Sequence, residues 1–117
     1  MGQDDARMTV ARLHARGDIR VGDEALPTAG PDEVLVRITA VGLCGSDRHW
    51  YTDGAIGGTP LDRPLVLGHE FVGTVVGGRR AGLRVVADPA IPCGACPTCR
   101  SGAVELCPTA RFAGYPG

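Results

Sequence analysis

Four cysteines lie close together late in the chain, and they are the residues best suited to specific chemistry. They follow the pattern C-x2-C-x2-C-x7-C, formed by Cys93, Cys96, Cys99 and Cys107. Four thiolates from one short segment can surround a zinc ion as a tetrahedron, and a site closed by sulfur keeps no position for a substrate. The spacing therefore predicts a structural zinc site.

An iron–sulfur cluster and unrelated free thiols both fit this cysteine pattern less well than zinc. Cys107-Pro108 is similar to the end of a bacterial ferredoxin motif, but the seven-residue gap before Cys107 is longer than the gap in that motif. Two-cluster ferredoxins also need a second quartet, and only Cys44 is left outside the cluster. Four unrelated free thiols are the remaining alternative, but tight clustering in a chain without a signal peptide favours metal.

Cys44 and His69 are candidates for a second metal site. They lie 25 positions apart, each beside a glycine and each between a predicted strand and a loop. Sulfur and imidazole nitrogen are ligands of open, catalytic zinc sites, which keep one position for water or substrate. Three roles are open for Glu70: a third ligand, a neighbour of the ligands, or a surface carboxylate. Two ligands do not make a site, so a packing role for Cys44 and His69 stays open.

Ser46 and His49 follow Cys44 at a spacing that suits proton transfer. On a short helix they occupy positions i and i+3 of one face. A hydroxyl and an imidazole in that row would carry a proton from an alcohol at the metal to solvent. The alternatives are a helix-capping serine and an exposed histidine.

The elements that must position these residues are predicted to be mostly short strands. The chain has 18 glycines and 9 prolines, a composition typical of strands joined by turns. A short helix, capped by Ser46 or Asp47, is expected to run to about Tyr51. Hydrophobic patterns predict strands at Thr9–Leu13, Ile19–Val21, Glu33–Val41, Phe71–Val76 and Arg84–Ala87.

Size and charge limit the classes of function. A chain of 117 residues is the size of one domain, and residues 1–8 are expected to be a disordered extension. Twelve basic and thirteen acidic residues are too evenly balanced for the positive charge that drives binding to a phosphate backbone, so we do not expect nucleic acid as a partner. Neither a membrane-spanning apolar run nor a signal peptide is visible, so we expect a cytoplasmic protein. No G-x-G-x-x-G follows a strand, so no dinucleotide-binding unit is expected.

The motifs around these residues resemble the zinc-containing medium-chain alcohol dehydrogenases, most closely the sorbitol or polyol dehydrogenase branch. The resemblance covers nearly all of residues 9–117. It is carried by three segments in the family's order: Gly42-Leu43-Cys44-Gly45-Ser46-Asp47-Arg48-His49, Gly68-His69-Glu70-Phe71-Val72-Gly73, and Pro92-Cys93-Gly94-Ala95-Cys96-Pro97-Thr98-Cys99 with Cys107-Pro108.

The resemblance implies a fold, a reaction and a role for each candidate residue. The fold would be a GroES-like, partly open β-barrel with short helices and a zinc-binding cysteine lobe. The reaction would be oxidation of a small alcohol or polyol by NAD or NADP. Cys44, His69 and Glu70 would hold catalytic zinc, Ser46 and His49 would relay the proton, and the four clustered cysteines would hold structural zinc.

The chain also departs from the family's pattern. Residues 9–117 would be the first, zinc-binding domain, incomplete at its C-terminus, and the family's Rossmann domain would be absent. We therefore expect the chain alone to be inactive. The resemblance leaves a homo-oligomer open. The competing classes are a non-catalytic GroES-like scaffold, which would not need Cys44, Ser46, His49 and His69 in register, and a zinc-ribbon binding module, which would need a basic face.

Overall fold

The computed structural model describes residues 6–114, a mostly β arrangement with short helices, as expected. No helix in this part of the chain has the length and apolar character needed to cross a bilayer. The strands are β1 (Arg7–Ala15), β2 (Asp18–Ala25), β3 (Val36–Gly42), β4 (Ala55–Ile56), β5 (Thr59–Pro60), β6 (Leu65–Val66), β7 (Glu70–Val75), β8 (Arg84–Val86), β9 (Ala90–Ile91) and β10 (Arg111–Phe112). The helices are α1 (Gly45–Asp53), α2 (Pro97–Arg100) and a 3-10 helix at Val104–Leu106.

The first sheet has the order β2-β1-β6 and contains the predicted hairpin, with both strands longer than expected. Arg7 and Met8 pair with Ala25 and Glu24, so the expected disorder of residues 1–8 is wrong for these two residues. Backbone pairing along β2 holds them in the ladder although their own side chains carry little hydrophobic signal. Ala6 also has a partner, because its carbonyl accepts the N–H of Leu26 at 3.1 Å, and residues 1–5 lie outside the described residues.

The second sheet has the order β3-β7-β8 and brings the end of β3 beside the start of β7. The strand predicted from Glu33 begins only at Val36, because Glu33 instead accepts a hydrogen bond of 2.8 Å from the N–H of Gly30 in the preceding turn. The register also shifts between Ile38 and Ala40, so the alternation expected through Val41 is interrupted by a bulge.

Helix α1 follows β3 directly and starts at the candidate metal site. Its N-cap is Cys44, not Ser46 or Asp47 as predicted. The carboxyl group of Asp47 accepts the N–H of Cys44 at 2.9 Å, which is one half of a capping box and places the start of the helix earlier. Gly54, at a positive φ of 69°, ends the helix as its C-cap, and its N–H donates to the carbonyl of Trp50 at 3.1 Å.

A small core anchors α1 to the first sheet. Leu13, Trp50 and Leu65 are 0%, 2% and 7% exposed and form one buried cluster. The partly buried side chains that pack against this cluster are Ile56, Leu61 and Leu67. Because Trp50 belongs to α1, this packing fixes the helix that carries the residues around Cys44.

The substitution Leu13→Ala should lower the free energy of unfolding by about 2–5 kcal/mol, because it leaves a cavity in this core. Urea unfolding followed by the fluorescence of Trp50 measures the change. The control is Val21→Ala on the same hairpin, where the side chain is 71% exposed and the expected change stays within about 0.5 kcal/mol. Equal effects of the two substitutions would contradict this assignment of the core.

Candidate metal centres

The four clustered cysteines converge at one point in the lobe formed by residues 90–112. One ligand atom from each of them lies within 4.8 Å of the others. Cys93 follows β9, Cys96 is the N-cap of α2, Cys99 lies on α2, and Cys107 follows the 3-10 helix. The structure thus brings together all four residues that the spacing selected.

Hydrogen bonds from the backbone orient these sulfurs. The N–H of Cys93 donates to Sγ of Cys107, that of Cys96 to Sγ of Cys93, and that of Cys99 to Sγ of Cys96, each at 3.4 Å. N–H groups aimed at sulfur stabilise the thiolate, which is the form that binds metal.

The same contacts explain how the thiols differ in acidity. Donation by the backbone N–H groups of Ala95 and Cys96, with smaller contributions from Thr109 and Cys107, lowers the pKa of Cys93 to about 6. Donation by the N–H of Cys93 likewise lowers the pKa of Cys107. Burial has the largest effect on Cys99 and raises its pKa to about 12. A cation would therefore offset the cost of a buried thiolate at Cys99.

The dimensions of the cluster fit a single ion. Four sulfurs about 2.3 Å from a tetrahedral zinc ion are about 3.8 Å from one another. Sγ of Cys93 lies 4.0 Å from Sγ of Cys99, which is close to that separation. Because all four sulfurs lie within 4.8 Å of one another, they leave no room between them for the several irons of an iron–sulfur cluster, and the ferredoxin alternative is disfavoured.

The second candidate set also comes together. Cys44, His69 and Glu70 offer ligand atoms within 4.8 Å of one another. The pairing of Gly42 with Glu70 in the β3–β7 ladder explains how residues distant in sequence become neighbours. This set has two half-buried members and an exposed carboxylate, so it is more open than the cysteine lobe.

Two glycines make room for this approach. Gly68 has a positive φ of 89°, and a Cβ there would lie 2.3 Å from Cγ1 of Val41, so only glycine fits before His69. At Gly42 a Cβ would lie 3.3 Å from Oε2 of Glu70. The missing side chain at this position leaves space for the Glu70 carboxylate.

Asp47 joins the segment that follows β3 to the segment that precedes β7. It is 4% exposed, and its two oxygens accept the N–H of Cys44 at 2.9 Å and the N–H of Gly68 at 3.0 Å. One carboxyl group thus holds the backbone at one ligand and next to the other. The sequence pattern indicated Asp47 only as a helix cap. Its position three residues after Cys44 is the capping-box signal that could have revealed the first of these contacts.

The imidazole of His69 lies between Asp47 and Ser46. Its Nδ1 is 3.7 Å from Oδ1 of Asp47, which is longer than a hydrogen bond but close enough for attraction to an Nδ1 proton. Its Nε2 is 3.4 Å from Oγ of Ser46. A proton kept on Nδ1 leaves Nε2 as the nitrogen for a metal, with the Ser46 hydroxyl beside it.

His49 lies farther out on α1. Its side chain is 62% exposed, and Nδ1 is 2.7 Å from Oδ2 of Asp53. Within residues 6–114 Ser46 is hydrogen-bonded to His69 and not to His49. The two proposed relay residues share a helix face, but a further group would have to join them.

A groove among the described residues lies away from both ligand sets. Its volume is about 760 Å³, and it runs between residues 26–35 and residues 76–80. Neither set of candidate ligands lines it. We therefore place the chemistry at the ligand clusters and not in this groove.

Comparison with known proteins agrees with this geometry. Residues 30–117 match the family model described as the alcohol dehydrogenase GroES-like domain. Sorbitol dehydrogenase of Bacillus subtilis strain 168 is 38% identical over 115 residues, 93% of this chain and 33% of that protein. A cobalt- and zinc-bound thermostable alcohol dehydrogenase from Pyrobaculum aerophilum superimposes with a TM-score of 0.77 at 26% identity, covering 93% of this chain and 35% of that one.

A solved NAD-dependent alcohol dehydrogenase gives a TM-score of 0.75 at 34% identity, covering 92% of this chain and 33% of that one. The chain belongs to the alcohol dehydrogenase GroES-like domain family, which confirms the fold and the family that the motifs predicted. It spans about a third of the length of the curated relatives that it matches.

Replacing Asp47 by Ala should lower the free energy of unfolding by about 2–4 kcal/mol, because the N–H groups of Cys44 and Gly68 would lose their acceptor. Chemical denaturation of the variant and the wild type measures the loss. Asp62→Ala, at a carboxylate that is 67% exposed, is the control and should change stability little. Wild-type stability in the Asp47 variant would show that these two hydrogen bonds do not hold the site together.

Proposed function

We propose that this chain is the zinc-binding, alcohol-binding part of an NAD- or NADP-dependent polyol dehydrogenase of the cytoplasm. The observation that carries the proposal is the presence of two ligand sets with different openness: four sulfurs closed on themselves, and Cys44, His69 and Glu70 with an exposed side. Five free cysteines support a reducing compartment. The similarity to sorbitol dehydrogenase supports a polyol substrate.

The closed set suits a structural ion. Four thiolates complete a tetrahedron, so no ligand position remains for substrate. Two of its members, Cys99 and Cys107, are each 8% exposed, which protects the site from solvent. Its role would be to hold together a lobe in which turns, rather than a large apolar cluster, determine the course of the chain.

The open set suits chemistry on an alcohol. Zinc bound there would act as a Lewis acid on the hydroxyl oxygen and make its proton easier to remove. The Ser46 hydroxyl, beside Nε2 of His69, would accept that proton while giving up its own. A further group would carry the proton to His49 on the same helix face, which would pass it toward solvent. Hydride acceptance requires a nicotinamide held over the site, which in this family is the task of a separate cofactor domain.

Two alternatives have less support. A scaffold without chemistry would not require Cys44, His69 and Glu70 to meet beside an aligned hydroxyl. A zinc-ribbon module for nucleic acid would require a basic face, whereas the net charge of the chain is -1. The dehydrogenase proposal accounts for both ligand sets.

Metal analysis tests the division into a closed and an open set. After dialysis against a mild chelator the 117-residue chain should keep close to one zinc per chain, because four sulfurs bind far more tightly than the incomplete set. Cys99→Ser should remove this zinc, whereas Cys44→Ser should retain it. Iron in place of zinc, or loss of the retained metal from the Cys44 variant, would contradict the assignment.

Turnover tests the relay. We would join the chain to the cofactor domain of a sorbitol dehydrogenase and follow reduced nicotinamide formation from sorbitol across about pH 6–10. Ser46→Ala should reduce turnover by about 10²–10⁴-fold with zinc content unchanged, the range for a lost proton-transfer group. His49→Gln should cost less, because water can reach its exposed position and substitute for the ring.

The matched control for this experiment is Ser101→Ala, which removes an exposed serine hydroxyl of the cysteine lobe. The unfused chain gives the background rate, since it should form no reduced nicotinamide. Full turnover in the Ser46 variant, or loss of zinc in parallel with loss of rate, would refute a relay through this hydroxyl.

A further inference from the structure

The helix face that carries Ser46 and His49 continues to Asp53, a residue outside the predicted relay. The three side chains are spaced i, i+3 and i+7 on α1, so they form one row. Ser46 is half-buried, whereas the side chains of His49 and Asp53 are 62% and 57% exposed. The row therefore leads from the candidate metal site to solvent.

Neither the helix dipole nor capping explains an aspartate at this position. Asp53 is the last residue of α1, where the helix dipole disfavours a negative charge, and Gly54 already caps the helix. The contacts of Asp53 are made with side chains instead. Oδ2 lies 2.7 Å from Nδ1 of His49, and Oδ1 lies 3.0 Å from the hydroxyl of Thr52.

These contacts determine which nitrogen of His49 carries the proton. The hydrogen bond from His49, followed by that from Thr52 and the nearby charge of Arg16, lowers the pKa of Asp53. Near neutral pH the side chain is therefore a carboxylate, which can only accept hydrogen bonds. Nδ1 of His49 must then be the donor, and Nε2 of the neutral ring keeps its lone pair.

We propose that Asp53 is a positioning residue that keeps the proton of His49 on Nδ1, so that Nε2 is the nitrogen that accepts the alcohol's proton. This inference rests on the proposed relay through Ser46 and His49. The proton reaches Nε2 from the group that joins His49 to Ser46, the carboxylate stabilises the resulting imidazolium, and a proton then leaves to the solvent to which His49 is exposed. The hydroxyl of Thr52 lies 3.0 Å from the other oxygen of Asp53 and shares its proton between that oxygen and the carbonyl of Arg48.

The tautomer of His49 can be measured without turnover. Long-range ¹⁵N–¹H correlation spectra of the labelled, zinc-loaded 117-residue chain distinguish the two neutral tautomers, and His49→Gln identifies the signals of this ring among the three histidines. Asp53→Ala should reduce the ratio of Nδ1-protonated to Nε2-protonated ring by about two- to fivefold, the effect of an exposed ionic hydrogen bond. An unchanged ratio would overturn the proposal.

Two further variants test whether the change in tautomer ratio is specific to the carboxylate of Asp53. Asp53→Asn keeps the size of the side chain and should shift the ratio in the same direction as Asp53→Ala, which guards against a fault in the folding of the alanine variant. Asp62→Asn removes another exposed carboxylate and should leave the ratio unchanged. A shift of equal size in the Asp62 variant would show a general charge effect and would overturn the role of Asp53.

Turnover of the fused enzyme provides the second test. Asp53→Ala should slow turnover about two- to fivefold when His49 is present and should have no further effect in a His49→Gln background. Equal losses in both backgrounds would overturn the proposal. Full turnover of Ser46→Ala would instead overturn the relay, and because the spectra need no turnover, the two failures are distinguishable.

Discussion

The buried carboxyl group of Asp47 is the contact on which the open set of candidate ligands depends. Its two oxygens accept the N–H of Cys44, at the start of α1, and the N–H of Gly68, just before β7. Strand pairing brings these segments near each other, but it does not set the distance between the ligands. Because both oxygens are used, neither segment can move without taking a hydrogen-bond donor away from the buried carboxyl group, which is costly.

The two ligand sets are built on different physical principles. The cysteine lobe is local: one short segment supplies all four sulfurs, and its own N–H groups orient them. The open set is distributed, because it needs the β3–β7 ladder, the close approach at Gly68 and the packing of Trp50 under α1. A local set suits a structural role, whereas a distributed set places ligands at the junction of several elements, where a substrate can reach them.

The sequence predicted most of what depends on local spacing. The cysteine lobe, the hairpin, the helix and the shared helix face of Ser46 and His49 all follow from residues close together in the chain. The association of Cys44 with His69 came from the family resemblance, because no local signal specifies the pairing of β3 with β7. The bulge after Ile38 and the double contact of Asp47 also depend on tertiary neighbours, and so they escaped prediction.

The N-cap at Cys44 fixes the distance of every residue of α1 from the open set of candidate ligands. Cys44 is both a candidate metal ligand and the N-cap of α1, so the helix begins at the open set of candidate ligands. With a rise of about 1.5 Å per residue, Asp53 at the far end of α1 lies about 13 Å along the helix axis from Cys44. A proton relayed from the open set along this face would therefore move away from it in steps of about one helical turn.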